Sequence, residues 1–508
     1  MLDMTGTAIC PDPPTPDCDD GPARAGRREW LGLAVLALPT ILIGLDGTAL
    51  HLAAPALSKD LAPSSSELLW IIDVYGFVVA GLLVTMGTVG DRIGRRRLLL
   101  IGAAGFLVAS LLAAFATSAG QLIAARALLG VAGATLMPST LSLLSNMFRD
   151  PGQRRLAIAI WMTNFMIGGM AGPLVGGVLL DHFWWGSVFL IGVPPLLLLL
   201  VVARPLLPEF RNERAGRIDP LSVVLSIGAI ISVVYAVKET AKSGPHLSAL
   251  AVAVVGVGLG WVFVRRQLRL PEPLLDLRLF SRPAFGASVG AQMFGLYVLA
   301  AAQFLAVQYF QLVLGMTPLE AGLWMLPTMV AGIVGTLGAP YVVRVLRPGT
   351  AMTVGFLAAA PGLALMTASE RWPVVVGLSL AGLGIQLVLA LTYDVIVSSA
   401  PPERAGVASG MGETGTELGI ALGIAIAGSI VTAVYRAGVS VLVGAPDSVR
   451  DTLGNAVAEA QHLPAPLAQQ LLTAARDAYT DGVQVAAWVS VAMVLVLAAT
   501  TAKLVRTR

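Results

Sequence analysis

Five acidic residues stand inside strongly apolar stretches of this sequence. Asp46 interrupts ILIGLDGTALHLAAPAL, Asp73 interrupts WIIDVYGF, and Asp394, Glu413 and Glu417 follow in the C-terminal third. A charged carboxylate at the centre of a bilayer costs about 2.5–3.5 kcal/mol on insertion scales, and intramembrane acids therefore tend to be functional. A buried carboxyl group can bind a proton or a cation. These five residues are the candidate sites for coupling protons to cations.

Glu413 and Glu417 are four residues apart, so on a helix they share one face. Two buried carboxylates that close together cannot both be charged cheaply. Burial and like-charge repulsion both favour the protonated form of at least one of them. Asp394 lies nearer the end of its apolar stretch, and a solvated helix end remains the alternative for that residue.

Arg126 in LIAARALLGVAGA is the one arginine deep within an apolar stretch. A buried guanidinium needs a partner, and Asp46 is the candidate because both residues fall in the same half of the membrane depth. The alternative is an arginine that extends its head group to the membrane interface. Aromatic rings near such acids can stack on planar cations. The candidates are Trp70, Tyr75, Trp161, Phe165, Tyr297 and Tyr393.

Composition identifies the elements that must position these groups. The chain has 508 residues, of which 56% are hydrophobic and 12% charged, with a mean hydropathy of +0.80. Soluble domains contain about 25% charged residues. A membrane-spanning helix needs about 20 apolar residues, and fourteen stretches qualify: 31–55, 68–89, 98–117, 121–146, 156–180, 186–204, 220–239, 247–266, 284–312, 320–344, 350–369, 373–398, 405–434 and 483–503.

Arginines concentrate on alternate connecting segments, as in GRRR (94–97) and QRR (153–155). Cytoplasmic loops are rich in Lys and Arg, so this alternation predicts that both termini are cytoplasmic. Residues 1–29 are predicted to form a disordered cytoplasmic tail. Residues 435–481 are predicted to form a long extracellular segment. Its pattern predicts two short amphipathic helices broken at Leu463-Pro464, which form either a soluble cap or a lid over the outer mouth.

No loop is large enough for a soluble catalytic domain, and no metal-ligand, nucleophile–base or phosphate-loop motif is present. We therefore expect neither an enzyme nor a cofactor or metal. No nucleic-acid partner is expected either.

Two glycine-rich motifs have specific spacings. The loop GTVGDRIGRRR (87–97) contains Gly87, Asp91, Arg92, Gly94 and Arg95, and its glycines permit a tight turn. The second motif, GGMAGPLVGG, repeats glycine every four residues and creates a smooth helix face for close packing, with a proline kink. Its residues are Gly168, Gly172, Pro173, Gly176 and Gly177.

These motifs, with LDGTALHLAAPAL and WIIDVY, resemble the major facilitator superfamily, and within it the fourteen-span drug:proton antiporters that export quaternary ammonium compounds. The resemblance covers the chain beyond residue 28. It implies an all-α integral membrane fold with two six-helix halves, 30–204 and 283–508, and two inserted helices within 205–282. A glycine repeat at Gly415, Gly419 and Gly423 matches the one in the fifth span and supports the two halves independently.

The resemblance also implies roles for residues. Asp91 and Arg92 would form a latch that stabilises the outward-facing state, the fifth-span glycines would mark an exporter, and Glu413 would match an acid used in transport. The expected function is proton-coupled efflux of lipophilic cations by a monomer in the bacterial cytoplasmic membrane. Its partners are the cation, the proton and the lipid bilayer. The alternative is a narrow self-resistance exporter of one natural product or metabolite.

Overall fold

The computed structural model describes residues 24–211, 219–243, 246–271, 273, 275, 277–368, 370–401, 405–439, 447–450 and 452–504. Sixteen α-helices occur in that part of the chain, and fourteen stretches are long and apolar enough to span a membrane. The predicted all-α fold with fourteen spans is confirmed. The first nine helices are α1 (Arg27–Leu61), α2 (Ser65–Ile93), α3 (Arg95–Ala114), α4 (Ala119–Met147), α5 (Pro151–His182), α6 (Ser187–Leu190), α7 (Val193–Leu206), α8 (Pro220–Ser243) and α9 (Leu247–Arg269).

The remaining helices are α10 (Pro283–Gln308), α11 (Pro318–Val345), α12 (Pro348–Leu365), α13 (Arg371–Ser398), α14 (Ala405–Gly438), α15 (Leu453–Ala460) and α16 (Ala465–Leu504). A π-helical turn, Tyr309–Val313, extends α10. Most of the predicted tail, residues 1–23, lies outside the described residues.

Two halves of the bundle repeat the same packing. In the first half α1 packs on α5 and α7, while α4 packs on α2 and α3. In the second half α10 packs on α14 and α16, while α13 packs on α11 and α12. The helix pair α8–α9 stands beside these halves and contacts both, through α2 and α14. The fold therefore consists of two six-span halves and two inserted helices.

One predicted span boundary was wrong, and one predicted span, although its bounds agree with Ser187–Leu206, is not a single helix. The sixth span is divided into α6 and α7 at Ile191–Gly192, because Pro194 and Pro195 have no backbone N–H with which to continue the helix. The last span begins at Ala465 rather than near residue 483. The second short helix expected in this segment is therefore the first part of α16, and α15 is the one short α-helix described there, after a 3-10 turn at Asp447–Arg450.

We define the basic face as the end of the bundle where α1 begins, α2 meets α3, and α4 meets α5. On this face Asp219 accepts hydrogen bonds from Arg266 at 2.6 and 3.1 Å, and this pair joins α8 to α9. The hydrogen bonds from Arg266 and Ser222 hold the pKa of Asp219 well below its usual value. That the basic face is cytoplasmic stays a prediction at this point.

Candidate functional site

Asp46 and Arg126 form a buried ion pair in the first half. The Arg126 Nη1 donates to Asp46 Oδ2 at 2.8 Å, and the two side chains are 3% and 9% exposed. Arg126 Nε also donates to the carbonyl of Ile71 at 3.2 Å. The structure thus places the guanidinium in the protein interior rather than at the membrane interface, and the Asp46 charge is balanced within the half that contains it.

Tyr75 connects this pair to the second half. The Arg126 guanidinium lies 4.7 Å from the centre of the Tyr75 ring, in a cation–π arrangement. Tyr75 is also within electrostatic range of Asp46 and of Glu417 on α14. Glu417 and Asp73 are both half-buried. Tyr75 therefore lies between the ion pair of one half and a candidate acid of the other.

Glu413 is buried among uncharged polar groups. It is 2% exposed, and its Oε1 atom has no hydrogen-bond partner among the described residues. Tyr393 of α13 lies beside the carboxyl group. No lysine or arginine in the described part of the chain forms an ion pair with Glu413. Its carboxyl group is therefore uncompensated, unlike that of Asp46.

A hydrogen-bonded network surrounds Glu413. The Tyr393 hydroxyl lies 3.2 Å from the hydroxyl of Thr416 on α14, and Thr416 accepts from Gln292 Nε2 on α10 at 3.1 Å. Thr392 donates to Gln292 Oε1. Three helices of the second half are thus joined around one acid.

Asp394 is buried rather than solvated at a helix end. It is 5% exposed and accepts hydrogen bonds from Arg154 Nε at 2.8 Å and from Arg155 Nε at 3.0 Å. The arginines lie near the start of α5 in the first half, whereas Asp394 lies near the end of α13 in the second. We call these three residues the inter-half clamp. The sequence showed Arg154 and Arg155 merely as loop arginines, and no sequence signal paired them with Asp394.

The loop between α2 and α3 forms its ion pair between Asp91 and Arg95, which corrects the expected pairing with Arg92. Gly94 adopts a φ of +108° and turns the chain so that Arg95, the first residue of α3, reaches back to Asp91. Arg92 is exposed. Sequence reasoning also missed Glu209, whose carboxylate accepts from the backbone N–H groups of Arg96 and Arg97 at the start of α3.

This loop packs directly against the start of α14. A Cβ at Gly87 would overlap the carbonyl oxygen of Gly406, and a Cβ at Gly406 would overlap the Asp91–Arg95 pair. The loop therefore joins the two halves at the basic face. With the inter-half clamp, it closes that face at two places.

The fifth-span glycines allow two helices to approach closely. A Cβ at Gly168 would overlap the carbonyl oxygen of Ile41 on α1, whereas a Cβ at Gly177 would meet nothing within 4 Å. Gly172 and Gly176 are buried, and the side chain of Pro173 lies outside the described residues. In the second half Gly419 and Gly423 bring α14 equally close to α10, whereas Gly415 makes looser contact.

The candidate aromatic residues are distributed among different environments. Trp161 is buried, contacts Tyr393 edge-on at 5.7 Å between ring centres and donates to Thr140 at 3.1 Å. Trp70 is 40% exposed and stacks on Tyr235 of the inserted pair at 6.3 Å. Phe165 is 40% exposed and Tyr297 is buried. The structure brings Tyr75, Trp161 and Tyr393 close to the buried charges and does not show this for the other three.

Comparisons with known proteins identify similar chains of nearly the same length. The chain is 45% identical to the multidrug efflux pump LfrA of Mycolicibacterium smegmatis, over 94% of this chain and 96% of that one. It is 37% identical to the methyl viologen resistance protein SmvA of Salmonella typhimurium, over 93% and 97% of the two chains. Identity to the tetracenomycin C resistance and export protein of Streptomyces glaucescens is 32%, over 82% and 77%.

Solved structures share the fold. A bacterial homologue of the iron transporter ferroportin, crystallised in an outward-facing state, aligns with a TM-score of 0.58 at 15% identity, covering 95% of this chain and all of that one. Residues 36–424 match the Major Facilitator Superfamily. The chain therefore belongs to the major facilitator superfamily and is a multi-pass transporter of the bacterial cytoplasmic membrane rather than an enzyme.

Proposed function

We propose that this transporter exports lipophilic cationic drugs, dyes and quaternary ammonium compounds in exchange for protons. The observation that carries the proposal is Glu413, a buried carboxyl group with no basic partner among the described residues. Such a group is inexpensive to bury when it is protonated, and when it is charged it requires a cation. A proton and a cationic drug that compete for this site oppose each other's binding by reciprocal linkage, as antiport requires.

The named relatives support a cationic cargo. LfrA is a multidrug efflux pump and SmvA is a methyl viologen resistance protein. Both align over nearly the whole of this chain, including the spans that contain Asp46, Asp73, Glu413 and Glu417. We assign Asp46 and Asp73 to one end of the transport path and the two glutamates to its middle, with Tyr75, Trp161 and Tyr393 available to stack on planar cations.

The basic face is proposed to be cytoplasmic, because arginine-rich loops are retained on that side of the membrane. Both termini would then be cytoplasmic. In this orientation, the contacts of Gly87 with Gly406 and of Asp394 with Arg154 and Arg155 close the transporter to the cytoplasm. The loop between α2 and α3 would stabilise this closed state, with Asp91 and Arg95 as its ion pair.

Ethidium efflux from bacteria lacking their own pumps tests the proposal. We expect wild-type cells to extrude ethidium, a proton ionophore to abolish extrusion, and Glu413→Gln to abolish it equally. Asp477→Asn, which changes an exposed acid of α16, is the matched control and should pump normally. Ionophore-resistant efflux, or full efflux by Glu413→Gln, would contradict the proposal.

The driving force gives a second test in proteoliposomes. Exchange of one proton for one monovalent cation moves no net charge, so it uses only the pH gradient, about 1.4 kcal/mol per pH unit. Ethidium transport should therefore collapse with nigericin and persist when valinomycin removes the membrane potential.

A narrow exporter of one natural product is the second candidate. The relative from Streptomyces glaucescens is named as a resistance and export protein for tetracenomycin C. A well-expressed protein that moves no ethidium or methyl viologen but extrudes one metabolite would favour this alternative.

A further inference from the structure

Three consecutive residues of α13 make three different connections. Thr392 donates to Gln292 on α10, Tyr393 contacts Thr416 and lies beside Glu413 on α14, and Asp394 binds Arg154 and Arg155 of the other half. One turn of helix thus contacts both the uncompensated acid and the inter-half clamp. We propose that Tyr393 is a positioning residue that transmits the protonation state of Glu413 to the inter-half clamp.

The position of Tyr393 is fixed on both sides. Its ring edge lies 3.8 Å from the position that a Cβ at Gly412 would occupy, so the ring packs against α14 next to Glu413. Its other neighbour is Trp161 of α5, edge-on at 5.7 Å. Trp161 follows the clamp arginine Arg155 by less than two helical turns. A displacement of Tyr393 therefore changes its contact with Trp161, at the same interface between the halves that the inter-half clamp closes.

The burial of Glu413 gives the sign of the coupling. A carboxylate with one oxygen buried and unpartnered is costly, whereas a neutral carboxylic acid in the same place is not. The closed arrangement thus fits a protonated Glu413. A proton bound more tightly in one conformation stabilises that conformation, so acidic conditions should favour closure of the basic face.

Other charged and titratable groups also lie near Glu413. Glu417 lies one turn further along α14, and Tyr75 of α2 is within electrostatic range of Glu417. Asp91 of α2 and Arg95 of α3 touch the start of α14 at Gly406. The helix α10 contributes the uncharged Gln292. Asp46 is paired with Arg126 and Asp394 with two arginines, whereas Glu413 has no ion-pair partner among the described residues.

This inference rests on the proposed proton coupling, and its test requires no transported substrate. Spin labels at Arg149→Cys and Ser398→Cys, both exposed positions at the basic face, report the separation of the two halves by pulsed electron paramagnetic resonance. Cys10 and Cys18 are first replaced by serine. The purified protein is measured in detergent between about pH 5.5 and 8.5, a range in which a single linked proton changes the ratio of closed to open molecules by up to about tenfold per pH unit.

We expect the closed population of the labelled wild-type protein to fall as the pH rises. Glu413→Gln should stay closed throughout the range, because its side chain is neutral at every pH. Tyr393→Phe keeps the ring against Trp161 but removes the hydroxyl, and its pH response should be flat. Asp394→Asn should open the basic face several-fold at every pH, because the clamp is weakened directly.

Tyr435→Phe is the matched control. Its hydroxyl is also buried and donates to the carbonyl of Val449 at 2.9 Å, away from the network, so its pH response should equal that of the wild type. If Tyr393→Phe folds poorly, Thr416→Val removes the hydroxyl that Tyr393 contacts and should flatten the response in the same way.

A wild-type pH response in both Tyr393→Phe and Thr416→Val would overturn the inference. So would an unchanged response in Glu413→Gln, which would place the linked proton on another acid. If ethidium efflux were nevertheless ionophore-sensitive and abolished by Glu413→Gln, the proposed function would stand, so the two failures can be told apart.

Discussion

Asp46 and Glu413 are buried acids in opposite halves of the same repeated fold, yet their surroundings differ. Asp46 meets a guanidinium at 2.8 Å, which in turn is held by the Ile71 carbonyl and the Tyr75 ring. Glu413 meets a tyrosine and, through it, threonine and glutamine side chains. One acid has a fixed counter-charge, and the other has only uncharged hydrogen-bonding neighbours, so that its charged form is the costly one.

This difference separates two uses of a buried carboxyl group. An ion pair holds its partners in one arrangement, because removal of either partner leaves an uncompensated charge. An acid surrounded by hydroxyl and amide groups can gain or lose a proton, because these groups can donate or accept. A transporter that couples cargo to protons needs a carboxyl group that can change its protonation state. Ion pairs such as Asp46–Arg126 serve the structure that supports this site.

The largest expected effect is the loss of stability when the arginine beside Asp46 is removed, compared with the effect of neutralising Glu413 itself. Arg126→Gln leaves Asp46 buried without its cation and should lower the free energy of unfolding by about 3–5 kcal/mol. Glu413→Gln should leave that free energy close to the wild-type value, because a neutral amide replaces a group that is already favoured in its neutral form. Chemical unfolding of the purified proteins in detergent measures both.

The double variant Asp46→Asn/Arg126→Gln is the control, since it removes both charges together. It should recover part of the stability that Arg126→Gln loses. Equal stability of Arg126→Gln and the wild type would show that the pair contributes nothing to the first half, and the contrast with Glu413 would disappear.

A smaller effect tests whether the close contact between α5 and α1 in the first half is equivalent to the contact between α14 and α10 in the second. Gly168→Ala places a Cβ against the Ile41 carbonyl, and Gly419→Ala places one against the carbonyl of Met293. Backbone shifts of this kind cost about 1–3 kcal/mol. Both variants should lower the melting temperature similarly, whereas Gly177→Ala, with open space around it, should not. A harmless Gly168→Ala with a damaging Gly419→Ala would mean that the crossings are not equivalent.

Sequence reasoning performed best where a pattern repeats over many residues. Fourteen apolar stretches and two spaced glycine motifs were sufficient to predict the spans and the family. The break at Gly192 inside the sixth span and the start of α16 at Ala465 were missed, because they depend on local backbone chemistry and on tertiary packing rather than on hydropathy.

Of the ion pairs between residues far apart in the sequence, one was predicted and another was missed. Asp46 and Arg126 stood out because each is an isolated charge in an apolar helix. Arg154 and Arg155 lie in a basic segment that looks like any other cytoplasmic loop, so nothing marked them as partners of Asp394. The pairing of Asp91 with Arg95 rather than Arg92 depends on the positive φ of Gly94, a conformation that glycine permits but does not dictate.

The smallest expected effect concerns the inserted pair, where Asp219 and Arg266 form an ion pair at the membrane surface. The pKa of Asp219 is lowered by its hydrogen bonds to Arg266 and Ser222, so its stabilising contribution is present at neutral pH and is lost as the pH falls below the ordinary aspartate value of about 3.9. Asp219→Asn should therefore lower the melting temperature slightly at pH 7, and this difference from the wild type should shrink toward pH 3. The difference should also shrink in high salt, because exposed ion pairs are screened. A deficit that is the same at both pH values would show that the hydrogen bond to Ser222, rather than the carboxylate charge, stabilises the junction of α8 and α9.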